Sequence, residues 1–162
     1  MGQFKHSVSI RCPKDKAFDY VSDWQNLKSF MSNIVDIKPV GFVQSGPGAA
    51  FNIVFKIAGA EIPVTLEVGQ FVKGVRMMVK SREGLKMMGG WEFQGISDGA
   101  VISFSLQYEL PPAIARSAQD QLLTEKDFDN AAAQSLQLLK WILESSTLRT
   151  DIIHGEFLEM KE

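Results

Sequence analysis

The side chains here that could do chemistry are few and scattered. One of the two histidines, His6 and His154, stands near each end of the sequence, so no cluster of imidazole and carboxylate metal ligands is expected. Acyl transfer needs a nucleophile, a base and an orienting group within hydrogen-bond reach, and no G-x-S-x-G elbow occurs. The stretch Ser45-Gly46-Pro47-Gly48 lacks the lysine and following helix of a phosphate-binding loop. Three candidates remain. His6 lies on an alternating segment with its ring on the inward side, placed to act as a base or as a ligand's hydrogen-bond partner; the plainer reading is a satisfied histidine near a sheet edge. Tyr108 could orient a carbonyl through its hydroxyl, although a strand tyrosine with a buried ring and a wet tip is commoner. Arg76 joins them only if the strands slip by one residue, which would turn Glu67, Arg76 and Glu92 inward. No cofactor follows from these residues.

Composition narrows the field. The chain has 162 residues, 45% hydrophobic and 22% charged, with a formal net charge of -2. That is the profile of one globular domain built on one core, here residues 1–146 with a tail at 147–162. Its lysines and arginines form no run and no aromatic interleaving, so a nucleic-acid partner is not expected. Cys12 is the one cysteine, which leaves no internal disulfide and fits a reducing cytoplasm. No apolar run is long enough for an integral membrane span, and the first residues lack the layout of a signal peptide.

Whatever site exists must be positioned by one long helix and a sheet. From Thr124 to Ser145 the residues Phe128, Ala131, Ala132, Leu136, Leu139, Ile142 and Leu143 fall on one face at helical spacing. Thr124 is the expected cap, with Asp127 three residues on and Leu123 stapled to Phe128. The stretch from Ala113 to Leu123 reads either as a loop or as an earlier helical turn capped at Ser117. The tail, with Ile152, Ile153, Phe157 and Leu158, is apolar enough to dock on the body or on a second copy as a homodimer.

Upstream, Phe4 to Ile10 alternate as a strand. Pro13 then opens a short helix carrying Ala17, Phe18, Tyr20 and Val21 with Trp24 beyond, and a second short helix follows Asn26. Period-two patterning from Ile34 to Leu110, broken by glycine-bearing turns, predicts six more strands. Val35 and Ile37 open the inward set. The sheet would then line an interior with Phe55, Leu66, Val68, Met77, Val79, Trp91, Phe93, Phe104 and Leu106, while Gln70 and Ser81 are its rare polar members. The glutamates and arginines take the outer parity.

The order of one strand, two short helices, a six-strand meander and a long terminal helix resembles the START-like or SRPBCC superfamily, the helix-grip or Bet v 1-like fold. The nearest branch is polyketide cyclase or dehydrase and lipid transport. The resemblance is carried by Ser9 to Trp24, with its Pro13, Ala17-Phe18 and Asp23-Trp24, by Leu106 to Pro111, and by Gln134 to Lys140. It implies an α+β fold in which a seven-stranded antiparallel curved sheet wraps the C-terminal helix. It also implies an apolar pocket of roughly 300 to 1,000 Å³, the usual size of a small-ligand site. Space is expected beside the small helix residues Ala132 and Ser135, with Tyr20 and Trp24 closing it from the short-helix side. The expected function is binding or transport of a hydrophobic small molecule (lipid, quinone or polyketide-like aromatic). A cyclase or dehydrase using the same cavity, with His6, Tyr108 and Arg76 as its polar groups, is the alternative.

Overall fold

The computed structural model describes residues 2–114 and 116–161, with side chains as far as Ser145. Seven strands appear where alternation placed them: β1 (Gly2–Ile10), β2 (Ile34–Val40), β3 (Ala50–Ile57), β4 (Ala60–Val72), β5 (Arg76–Gly84), β6 (Lys86–Ile96) and β7 (Gly99–Glu109). They form one sheet in the order β1-β7-β6-β5-β4-β3-β2, antiparallel throughout. Consecutive strands from β2 to β7 are neighbours, as short turns require. Only β1 is displaced to the far edge.

That displacement sets the rest of the architecture. After β1 the chain must travel from one edge of the sheet to the other. It does so through α1 (Lys14–Ser22), a 3-10 turn at Trp24–Asn26 and α2 (Leu27–Phe30). Pro13 occupies the α1 cap position and Asp15 its first turn, both suited to a helix N-terminus. Ala17, Phe18 and Val21 bury the inner face of α1, and Cys12 is sealed at its root at 1% exposure. The Asp23 carboxylate accepts from the Gln25 N–H at 3.0 Å, which caps the 3-10 turn. Asn26 stands at the N-cap position of α2 without a side-chain cap bond and donates its side-chain N–H to the Tyr20 carbonyl at 3.0 Å.

The sheet can curl because β6 carries Gly89-Gly90 at its middle, with φ near 153° and 152°. A Cβ on Gly89 would strike the Ser105 carbonyl of β7, and one on Gly90 the Met77 carbonyl of β5. Only glycine allows both neighbours to close in at once.

Into the curl fits α3 (Ala118–Lys161), 44 residues long. It begins six residues before the expected Thr124, because Ser117 Oγ accepts the Asp120 N–H at 3.0 Å and so supplies the cap. Thr124 lies inside the helix at 4% exposure, and Leu123 points to solvent rather than stapling to Phe128. Phe128, Ala132, Leu136, Leu139 and Leu143 bury the face that periodicity assigned to the core. The helix backbone continues through the tail, while the side chains of Ile152, Ile153, Phe157 and Leu158, and with them the expected docking, lie outside the described residues.

Of the three register shifts in the sheet, two reverse side chains that alternation placed inside. Between Ile34 and Asp36 the register of β2 shifts, so Ile34 and Ile37 are buried and Val35, expected inside, is 38% exposed. A second shift between Val68 and Phe71 turns Gln70 outward and brings Phe71 against Phe18 at 5.3 Å. An extra residue unpaired on one strand has this effect on everything beyond it. The glycine-bearing stretch Arg82-Glu83-Gly84 is strand as far as Gly84, and the buried Leu85 makes the link to β6.

Candidate functional site

Between the inner face of the sheet and the crossing helices lies a cavity of about 70 Å³. Its deep wall is Ile53 and Phe55 of β3, Leu66 and Val68 of β4, Met77 and Val79 of β5, Met87 and Trp91 of β6, and Phe104 and Leu106 of β7. Its mouth is formed by Val21, Ser22, Trp24, Leu27 and Met31 on one side and by Gln44, Ser45 and Gly46 of the β2–β3 loop on the other. The polar side chains at its wall, Ser22, Gln44 and Ser45, all stand at this mouth.

The cavity is several-fold smaller than the expected pocket of roughly 300 to 1,000 Å³, and no residue of α3 is among those that line it. Phe55, Leu66, Val68, Met77, Val79, Trp91, Phe104, Leu106 and Trp24 line it; Tyr20, Phe93, Ala132 and Ser135 do not. Tyr20 lies against Phe30 at 6.0 Å and Phe93 against Phe18 at 5.2 Å. Ala132 and Ser135 are buried and stand outside the lining of this cavity. Ser135 donates its hydroxyl proton to the Ala131 carbonyl of its own helix at 2.8 Å.

None of the three candidate chemical residues lines this cavity, although His6 and Tyr108 share Phe4 and Asp129 as neighbours. His6, half-buried, pairs through Nε2 with the Asp129 carboxylate of α3, and its ring lies 5.7 Å from that of Phe4. Tyr108 is buried with its ring stacked on Phe128 at 4.8 Å. Burial, aided by the nearby Glu125 and Asp129 carboxylates, pushes its hydroxyl up from 10.0 to about 12. It therefore stays protonated at neutral pH. Arg76 begins β5 on the outer parity, in register with Glu92, and its Nε is enclosed without a hydrogen-bond partner among the described residues. The one-residue slip that would bring these charges inside does not occur: Glu92 is exposed and Glu67 pairs with Arg82 at 3.4 Å on the outer face. Of the polar residues expected inside, Ser81 accepts the Met87 N–H at 3.0 Å where the β5–β6 pairing ends.

The sequence reading missed the carboxylates that lock α3 to the sheet. Asp127 accepts the Ala58 N–H at 3.1 Å, holding the β3–β4 turn where Ala58 takes a φ of 50°. Glu144 accepts the Arg11 N–H at 2.9 Å, and Asp129 holds His6. With the middle of β1, the residue just past its end and one turn tied to it, the helix is fixed in the curl. Asp120 and Glu125 stand on the same helix, so acidic residues as such did not single out these three.

An open groove of about 750 Å³ also runs over the outer face of the sheet, past Gln3, Lys5, Gln70, Met78, Lys80 and Gln107. It is open to solvent, and its walls carry no ion pair or buried polar group among the described residues. Those residues also hold no group of three or more histidine, cysteine, aspartate or glutamate side chains able to bind a metal ion. No described helix is long and apolar enough to cross a membrane.

Residues 1–144 match a protein family described as polyketide cyclase / dehydrase and lipid transport. No curated protein is close enough in sequence to count as a match. Among solved structures, the protein TTHA0849 from Thermus thermophilus superposes with a TM-score of 0.77 at 18% identity, over 89% of this chain and 98% of that one. The Zhui aromatase/cyclase from Streptomyces sp. R1128 does so with a TM-score of 0.69 at 11% identity, over 88% and 93%. Ara h 8.0201 gives 0.55 at 16% identity, over 85% and 97%. At these identities the likeness is one of fold, and it agrees with the helix-grip architecture read from the sequence.

Proposed function

The chain belongs to the polyketide cyclase / dehydrase and lipid transport family, and from that membership we propose that residues 1–146 form a single unit that binds and carries a hydrophobic small molecule: a lipid, a quinone or a polyketide-like aromatic. The observation that supports this reading is the deep cavity wall, which is apolar on every strand from β3 to β7. A wall without donors or acceptors selects a ligand by shape and by removal of apolar surface from water, at roughly 25 cal/mol per Å².

The present volume of about 70 Å³ describes a contracted cavity. Met31, Met77 and Met87 are placed to enlarge it, since methionine is unbranched and repacks around varied shapes. A cyclase would need an acid or base at the wall. His6 is paired with Asp129, and neither Tyr108 nor Arg76 lines the cavity, which favours the carrier over the enzyme.

The test is to incubate the protein with a total lipid and quinone extract, repurify it, denature it and identify released molecules by mass spectrometry. Wild type should release an apolar ligand, and Leu66→Trp, which fills the cavity, should release none. Equal recovery from both proteins, or from neither, overturns the proposal.

A further inference from the structure

The loop between β2 and β3 ends in an apolar tip. Phe42 is entirely in solvent at 103% relative exposure, Val43 is 50% exposed and Val40, at the end of β2, is 37% exposed. Gly41, with φ of 79°, turns the chain immediately before them, and nothing lies within 4 Å of where its Cβ would stand. The tip projects freely. It also belongs to the longest uncharged stretch in the sequence, the seventeen residues from Pro39 to Phe55, in a chain that is 22% charged. At that average frequency about four charges would be expected there.

We propose that Phe42 and Val43 insert into the surface of a neutral lipid bilayer and seat the cavity mouth against it. Three observations converge on this occupant. The tip offers two large side chains, far short of the roughly 800 Å² per partner that a stable protein interface needs, whereas the headgroup and acyl boundary accepts single protruding apolar residues. The uncharged stretch removes the cost of carrying ions into that boundary. Asp19 and Asp23, which flank the mouth beside Gln44 and Ser45, disfavour an anionic surface and leave neutral lipid as the match.

Position connects the tip to the cavity. Gln44, Ser45 and Gly46 follow Val43 directly and form one side of the mouth, so a tip held in lipid draws on the residues that close it. A ligand passing between bilayer and cavity would then cross little water. This use of the docking rests on the carrier reading, while the docking itself does not.

Flotation of the full chain with phosphatidylcholine vesicles tests the proposal. Wild type should float, and Phe42→Ser/Val43→Ser should lose affinity roughly tenfold or more, in proportion to the apolar surface no longer inserted. Trp141→Ser, which removes an apolar side chain 66% exposed on α3, should float like wild type. Because all three side chains are exposed, circular dichroism should be unchanged. Failure of wild type to float, equal loss in the Trp141 variant, binding only when anionic lipid is added, or a concentration-dependent dimer abolished by the loop variant would each overturn it. Ligand recovery by mass spectrometry is scored separately, so a protein that holds ligand but does not float refutes the docking and leaves the carrier standing.

Discussion

Under the first turns of α3 the curled sheet is filled with rings. Tyr108 stacks on Phe128 at 4.8 Å, and Phe4 meets both Phe104 and Phe128 at 5.6 Å. Under α1 and α2 the same sheet, still carrying Phe55, Trp91 and Phe104 but with Met77 and Met87 beside them, faces Trp24, Leu27 and Met31 and keeps a hollow. Both regions are apolar and both are buried, so hydrophobicity does not distinguish them. Shape does. Planar rings held by a helix that is tied to β1 at His6 and Arg11 leave nothing to adjust, whereas flexible thioethers beneath two short helices can rearrange. On this contrast stability rests with one end of the sheet, and the proposed binding falls to the other.

The strongest way to break this division is a truncation at each end. Phe128→Ala should cost about 3–5 kcal/mol in urea unfolding, because fixed rings cannot collapse into the space. Met31→Ala, beside a space that already exists, should cost only about 2 kcal/mol, at the lower limit for such changes. Comparable losses would show that the two regions are packed alike. The opposite manipulation sharpens the point: Ala132→Leu should destabilise by about 1–3 kcal/mol through overpacking, while Leu66→Phe should cost under about 1.5 kcal/mol and reduce ligand uptake.

A smaller effect is expected at the entrance to α3. Ser117→Ala removes the side-chain acceptor of the Asp120 N–H and should lower stability by about 1 kcal/mol, with ligand uptake unchanged. Least visible at neutral pH is Tyr108. Its folded-state value of about 12 lies above the 10.0 of an ordinary tyrosine, so the folded form holds its proton more tightly than the unfolded chain. The stabilisation is complete below pH 10 and is lost as pH rises towards 12. Of the two tyrosines in the sequence, ultraviolet titration should assign the latest tyrosinate step to Tyr108, and Tyr108→Phe should abolish it.

Much of the solid end could be read before any coordinates. The alternation of Ile102, Phe104, Leu106 and Tyr108, and the helical spacing of Phe128, Ala132, Leu136, Leu139 and Leu143, fix which sides face each other. The hollow end was less legible, because its geometry depends on features that periodicity does not register. A bulge after Ile34 reverses Val35, another after Val68 reverses Gln70, and small residues such as Ala132 can mean either a void or a close approach. Which of the two applies is decided by how tightly Asp127, Asp129 and Glu144 draw the helix inward. Those are long-range contacts, and they left no local pattern. The position of His6 in β1 was correct, but its partner lies 123 residues away.

Cys12 is sealed where β1 passes into α1, and it is the chain's one thiol. A maleimide or disulfide reagent can reach that sulfur only after the root of α1 has come away from the sheet, so the rate of labelling becomes a stopwatch for that motion. Without any substitution, the native protein thus carries its own reporter on how often the roof over the hollow lifts.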